Sequence, residues 1–190
     1  ESPQYTVVHS ESDFEVRFYR DSAWMTAPTD EISFEKATKV GFHRLFEFIE
    51  GANLNFSRLA MTKPVLTSIV PGGGPLGSSA FFVKFYLPVE FQADPPTPLP
   101  ELNLEPDRWT GHCIAVRSFS GFARDSNIVK QAEKLALSLS RSSRWANSTN
   151  TGRSSGYAYS VAQYDSPFKL IGRVNEVWVD VNGSEEDGCK

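Results

Sequence analysis

Three histidines, His9, His43 and His112, and two cysteines, Cys113 and Cys189, are what the chain has for nucleophilic or metal chemistry. None of the histidines belongs to a serine, cysteine or metal signature, and no Gly-x-Ser-x-Gly elbow occurs. Cys113 lies in the apolar run Cys113-Ile114-Ala115-Val116 and reads as a small buried hydrophobe. Cys189, in the acidic C-terminal stretch, reads as mobile, so the pair suggests neither a disulfide framework nor a metal site. Gly72-Gly73-Gly74 lacks a following Lys-Ser/Thr and reads as a hairpin turn rather than a phosphate loop. The carboxylates Glu185, Glu186 and Asp187 form a solvated run, and Glu176 and Asp180 fall at a strand end. One pattern offers more. Lys39, His43 and Glu47 recur at i, i+4 and i+8 beside the apolar line Phe42, Phe46 and Ile49. A flat apolar ligand bearing carboxylates suits that boundary, its rings on Phe42 and Phe46 and its acid on Lys39. The same pattern also reads as a surface helix edge carrying an ion pair.

The element that must position this stripe runs from Ser33 to Gly51. There Phe34, Ala37, Gly41, Phe42, Leu45, Phe46 and Ile49 return every three or four residues, which makes an amphipathic helix with Ser33 as N-cap and Gly51 as stop. Before it, Tyr5–Val8 and Phe14–Tyr19 alternate around a Ser/Asp turn as a β-hairpin, and Ala23–Ala27 suggests a short strand. After it, Met61–Val70 and Ala80–Leu87 form a strand pair joined by the Gly-rich turn. The five prolines between Asp94 and Pro106 mark an extended connector. The second half repeats the plan. Trp109–Phe122 is strand material, Asp125 caps a helix reaching about Arg144, and Ile128, Val129, Ala132, Leu135, Ala136 and Leu139 form its buried stripe. A Ser/Asn/Gly-rich loop at 142–156 precedes final strands at Tyr157–Tyr164 and Val174–Val181. The expected fold is one α+β domain over residues 1–181, with pseudo-repeats at about 5–90 and 101–181 and a flexible acidic tail at 182–190. About eight strands would make a strongly twisted, largely closed sheet.

Charge and hydropathy exclude other classes. Net charge is −4 and the basic residues are scattered, so nucleic acid is not an expected partner. No apolar run approaches the roughly 20 residues that span a bilayer, so an integral membrane protein is not expected. The sequence opens on Glu1 rather than Met, so an upstream segment is expected to have been removed and the lack of a leader is uninformative. Sequons at Asn55-Phe56-Ser57, Asn147-Ser148-Thr149 and Asn182-Gly183-Ser184 favour the secretory pathway or vacuole over the cytoplasm.

Several stretches, taken in order, resemble the SOUL heme-binding family. They are Gly41-Phe42 with Leu45-Phe46 and Ile49, Met61-Thr62-Lys63-Pro64-Val65, Phe85-Tyr86-Leu87-Pro88, and Val116-Arg117 with Phe119-Ser120-Gly121. Tyr164-Asp165-Ser166-Pro167-Phe168 and Arg173-Val174-Asn175-Glu176-Val177-Trp178 complete the set, so the likeness runs from about Glu1 to Val181. It implies a distorted antiparallel β-barrel flanked by two α-helices, internally duplicated, binding heme or another porphyrin reversibly in an apolar cleft beside the first helix. Carried over by position, the cleft residues are Lys39, Phe42, Phe46 and Glu47, with Lys169 approaching the propionates. Phe18 stands where some members offer a histidine as axial ligand, and Glu47 stands where the family has a lysine. His43 is the nearby substitute for an iron ligand.

Without an axial bond, burial of about 300 Å² of macrocycle at about 25 cal/mol/Å² gives a gross gain near 7–8 kcal/mol. Lost rigid-body freedom opposes it, and a charge-assisted contact from Lys39 or Lys169 adds on the order of 1–3 kcal/mol. Micromolar binding of a tetrapyrrole by a monomer, for buffering or transport, is the expected function, with metal-free porphyrin held about as well as heme. The alternative is an enzyme acting on another apolar small molecule in the same cavity, with His43, Glu47, Tyr86 or Tyr164 moving protons. A third possibility, docking of the helix through Leu45, Phe46 and Ile49 on a partner protein, requires the helix to leave the barrel.

Overall fold

A computed structural model describes residues 1–146, 159–166, 168–182 and 189. The Asn147 sequon, most of the 142–156 loop, Tyr157, Pro167 and most of the acidic tail lie outside the described residues. The strands are β1 (Tyr5–Ser10), β2 (Glu15–Tyr19), β3 (Ser22–Thr29), β4 (Val65–Val70), β5 (Ala80–Tyr86), β6 (Glu105–Trp109), β7 (His112–Ser120), β8 (Tyr159–Gln163) and β9 (Val174–Val181). The helices are α1 (Phe34–Ile49) and α2 (Asp125–Arg141).

All nine strands join one antiparallel sheet in the order β1-β2-β7-β9-β8-β4-β5-β3-β6, curled into a half-barrel. The duplication is visible in that order. β3-α1-β4-β5 lies in space as β3-β5-β4, and β7-α2-β8-β9 lies as β7-β9-β8, with β4 paired to β8 between the halves. The strand before each unit crosses over, β2 pairing with β7 and β6 with β3. This exchange of edges ties the halves into one sheet.

Period-two alternation sorts the side chains into layers. On β5, Val83 and Phe85 turn outward to α1 and join Met25, Leu45 and Phe48, whereas Tyr86 turns inward. On β9, Val177, Val179 and Val181 pack beneath α2, whereas Trp178 points into the concave interior with Trp24, Tyr19 and Leu66. The helix α1 buries Phe34, Ala37, Gly41, Leu45, Phe48 and Ile49. Phe48 completes the core stripe in the place expected of Phe46, which is 41% exposed. Gly41 lets α1 lie against β5: a Cβ there would stand 2.4 Å from a Val83 methyl and 2.6 Å from Val83 Cβ. The buried stripe of α2 is narrower than its periodicity suggests, since Val129 and Ala136 are exposed.

Element boundaries, a helix cap and the cysteines are the three points on which the sequence expectations are revised. The helix α2 ends at Arg141, and β4 begins at Val65, leaving Met61–Pro64 as irregular chain. Asp125 does not cap its own helix. It lies in the first turn of α2 and caps α1, accepting hydrogen bonds from Ser33 Oγ at 2.7 Å and from the amides of Phe34 at 2.7 Å and Glu35 at 3.2 Å. Glu35 in turn accepts from the Asp125 amide at 3.2 Å. The third concerns cysteine. Cys113 and Cys189 form a disulfide, with Cα atoms 5.8 Å apart, and Cys189 is fully buried against Phe14, Trp145 and Leu139. The end of the chain is therefore anchored at Cys189, which its Gly-containing, acidic surroundings did not signal.

Candidate ligand-binding site

The open face of α1, turned away from its buried stripe, borders two cavities of about 640 Å³ and about 270 Å³. They share Phe42, Val65, Gln163 and Asp165 and so form one trough along the helix. Each volume is of the order of small-molecule sites, roughly 300–1,000 Å³. The floor comes from the antiparallel pair Val65 on β4 and Gln163 on β8, the seam between the two halves. The far wall is the segment between β8 and β9, including Tyr164, Asp165 and Phe168, and the outer rim is Met61-Thr62-Lys63.

Phe42 and Phe46 form the helix wall. Their rings stack at 6.0 Å with planes 15° apart, and Phe42 is braced edge-on by Phe85 of the core at 5.5 Å. An i, i+4 pair held in this way presents an apolar surface on which Phe46 is 41% exposed.

The charged groups divide by position. Lys39 lines the narrower end and has no ion-pair partner among the described residues. Lys169 lines neither cavity among the described residues; its ammonium sits 2.7 Å from Asp165. That contact, together with the Val174 amide donating to Asp165 at 2.6 Å, holds the Asp165 carboxyl below the usual carboxylate range. Arg173, which sequence reasoning passed over, lines the narrower end and is 4% exposed. Its guanidinium donates to the carbonyls of Ser166, Lys169 and Asp165 and lies 4.4 Å from the Phe122 ring centre. Its Nε has no hydrogen-bond partner among the described residues. The signal was present in the string Arg173-Val174-Asn175-Glu176, but an isolated arginine before a strand looks like any solvated end.

The trough is closed inward by Tyr164. Its hydroxyl donates to Glu176 at 2.6 Å, and Glu176 also receives the Arg17 guanidinium at 3.0 and 3.2 Å and Trp178 Nε1 at 2.7 Å. Burial and the neighbouring Glu176 push the Tyr164 phenol far above its ordinary range, so it stays protonated and fixed.

His43 is placed elsewhere. Its side chain is 75% exposed, borders neither cavity, and reaches Glu47 at 3.2 Å across one helical turn. No histidine is among the residues lining the trough: His9 pairs with Glu11, and His112 lines a separate cavity with Lys84 and Asp180. Of the stripe Lys39, His43 and Glu47, the structure brings Lys39 alone to the trough. His43, Glu47, Tyr86 and Tyr164 are not assembled into one acid–base site: the first two face solvent and Tyr86 packs inside the barrel. Leu45 and Ile49 are buried, so α1 presents no docking face through them.

The structure is thus a curled antiparallel sheet with two flanking helices and an aromatic-walled trough beside one of them. The chain belongs to the SOUL heme-binding protein family, whose model it matches over residues 1–180. It is 32% identical to heme-binding protein 2 of Homo sapiens over 166 residues, covering 87% of this chain and 77% of that protein. It is 29% identical to heme-binding protein 1 of Xenopus laevis over 165 residues, 87% of this chain and 82% of that one. Among solved structures, a hydrolase from Listeria innocua superposes with a TM-score of 0.56 at 10% identity, over 90% of this chain and 93% of that one. The EcmrR C-terminal domain gives 0.53 at 9% identity, over 94% and 98%. These structural likenesses concern the fold.

Proposed function

We propose that the chain binds heme or a related tetrapyrrole without a covalent bond, in the trough beside α1, for buffering or transport. The observation that carries this reading is the stacked pair Phe42/Phe46 facing an open trough of about 640 Å³. A macrocycle lying on these rings would direct its carboxylates to the narrower end, where Lys39 and the buried Arg173 supply positive charge. Lys169 serves that purpose poorly, because Asp165 already neutralises it. The lining residues fit a porphyrin ring and its acids but offer no histidine for its iron. The pigment is cargo held by stacking and charge, and the chain acts as a monomer.

The secretory pathway or vacuole is the compartment this reading favours: a Cys113–Cys189 disulfide is typical of oxidising environments, and the sequons support the same reading. The test of the main reading is a parallel titration with hemin and with metal-free protoporphyrin, followed by the Soret band and by quenching of tryptophan fluorescence. Comparable micromolar affinities for both are expected, each weakened in the Lys39→Ala/Phe42→Ala double variant. Tight hemin binding with no porphyrin binding would overturn it.

A further inference from the structure

Leu54 and Phe56 stand 58% and 83% exposed on a tightly built turn, outside the buried core clusters of the described residues. Between them is Asn55, exposed at the turn's apex and first residue of Asn55-Phe56-Ser57. The turn is rigid by construction. The fully buried Asn53 donates from its side chain to the carbonyls of Phe48 at 3.1 Å and Ser57 at 2.8 Å, and accepts from the Ser57 amide at 2.9 Å. The Leu54 amide is bonded to Thr97 O at 2.9 Å, and Phe56 takes a positive φ of 52°. The Asn55 carboxamide makes no hydrogen bond among the described residues, so no contact is lost if it is modified.

We infer that Asn55 is an N-glycosylation site and that its first sugar covers the flanking Leu54 and Phe56. Three observations converge: the acceptor tripeptide, the outward-facing apex, and two large apolar side chains beside it that the fold leaves exposed to water. The inference rests on the oxidising-compartment reading, since the donor is a lipid pyrophosphate-linked oligosaccharide met only along the secretory route. In the transfer, Asn55 Nδ2 forms a bond to the anomeric carbon and gives up one proton. The anomeric carbon–oxygen bond to pyrophosphate breaks, and the lipid pyrophosphate leaves. The apolar faces of the sugar ring then lie on the Phe56 ring. Of the three sequons, this is the one lying wholly within the described residues.

The experiment uses protein purified from its native source. Trypsin releases Leu45–Arg58, a peptide holding this sequon and no other. Enzymatic removal of N-glycans in oxygen-18 water should turn Asn55 into labelled aspartate in most chains. Secreted Asn55→Gln and Ser57→Ala variants should each lose the mass of one glycan relative to the parent. Asn55 is exposed and Ser57 half-buried, and retained disulfide formation reports that the variants fold. Recovery of Leu45–Arg58 unmodified, with Cys113–Cys189 intact in the same sample, overturns the site alone. Alkylation of both cysteines without prior reduction overturns the compartment reading, and the site with it.

Discussion

Replacing Phe46 by alanine separates binding from folding more cleanly than any other change in the trough. The Phe46 ring is 41% exposed and its aromatic contact is Phe42, itself held by Phe85, so the core loses little when it is removed. Fold stability should fall by less than about 1 kcal/mol, as for surface positions away from special features. The bound macrocycle, by contrast, loses one side of its stack. Covering about 60 Å² of exposed phenyl face at about 25 cal/mol/Å² is worth about 1.5 kcal/mol. Aromatic geometry contributes a further 0.5–1.5 kcal/mol or so. The expected loss of about 2–3 kcal/mol weakens binding about 30- to 150-fold, each 1.4 kcal/mol being tenfold. Fluorescence quenching with protoporphyrin and Soret titration with hemin should give the same factor, because stacking ignores the metal. His43→Ala, on the exposed side of the helix, should leave both affinities within about twofold, since a solvated surface substitution carries little energy. If Phe46→Ala binds both ligands like the parent while His43→Ala loses hemin alone, the trough is not the site and iron coordination is.

Three further outcomes test the scaffold. Gly41→Ala should destabilise the fold by about 1–3 kcal/mol in urea titrations, since the added methyl overlaps Val83 and the helix must lift from β5. Cys189→Ser should cost up to about 4 kcal/mol, because the Cys113–Cys189 bridge closes a 76-residue separation and restricts the unfolded chain; the shift in melting temperature reads it. Asp125 should make stability acid-sensitive. Burial raises its affinity for a proton, but hydrogen bonds from Ser33 and the amides of Phe34 and Glu35 outweigh this and depress the folded value. A depressed carboxyl contributes stability above its unfolded value of about 3.9 and loses it as pH falls through the folded one. The denaturation midpoints of parent and Asp125→Asn should therefore differ at pH 7, begin to approach each other below about pH 4 and meet only below the folded value.

The helix stripe was legible because 3.6-residue periodicity leaves a direct trace: Phe34, Ala37, Gly41, Leu45 and Ile49 were read from the sequence and are buried. Phe46 was read as part of the same apolar face, yet the helix turns it to the trough, since periodicity fixes an angle but not what lies opposite. The duplication was legible as element order, whereas the exchange of β2 and β6 between halves was not, because edge pairing depends on contacts far apart in sequence. Asp125 looked like a cap for the helix that contains it. Its capping of α1, about 90 residues away, arises only when the two helix N-termini meet. Arg173 and the disulfide share this cause: their partners are chosen by the fold, and a lone arginine or two distant cysteines carry no spacing to read.

Why the open trough lies beside α1 follows from the seam between the halves. β4 and β8 pair antiparallel with Val65 opposite Gln163, Thr67 opposite Val161 and Ile69 opposite Tyr159. A two-fold axis through the Thr67/Val161 pair therefore relates the Val65/Gln163 end, which floors the trough, to the Ile69/Tyr159 end. At that second end the space is filled by the chain itself: Ile69, Ile128, Phe34 and Phe81 form a buried cluster with Tyr159 and Phe119 packed against it. The two ends of the seam thus differ: side-chain volume fills the Ile69/Tyr159 end and leaves the Val65/Gln163 end open. Ile128 of α2 reaches into its crevice, while Phe42 of α1 is drawn back onto Phe85 and leaves its own open. The proposed ligand site is the end of the seam that side chains leave open. Its size is governed by the few residues on α1 and the β8–β9 segment that hold back from the seam, and Arg173 fixes that segment's backbone from below.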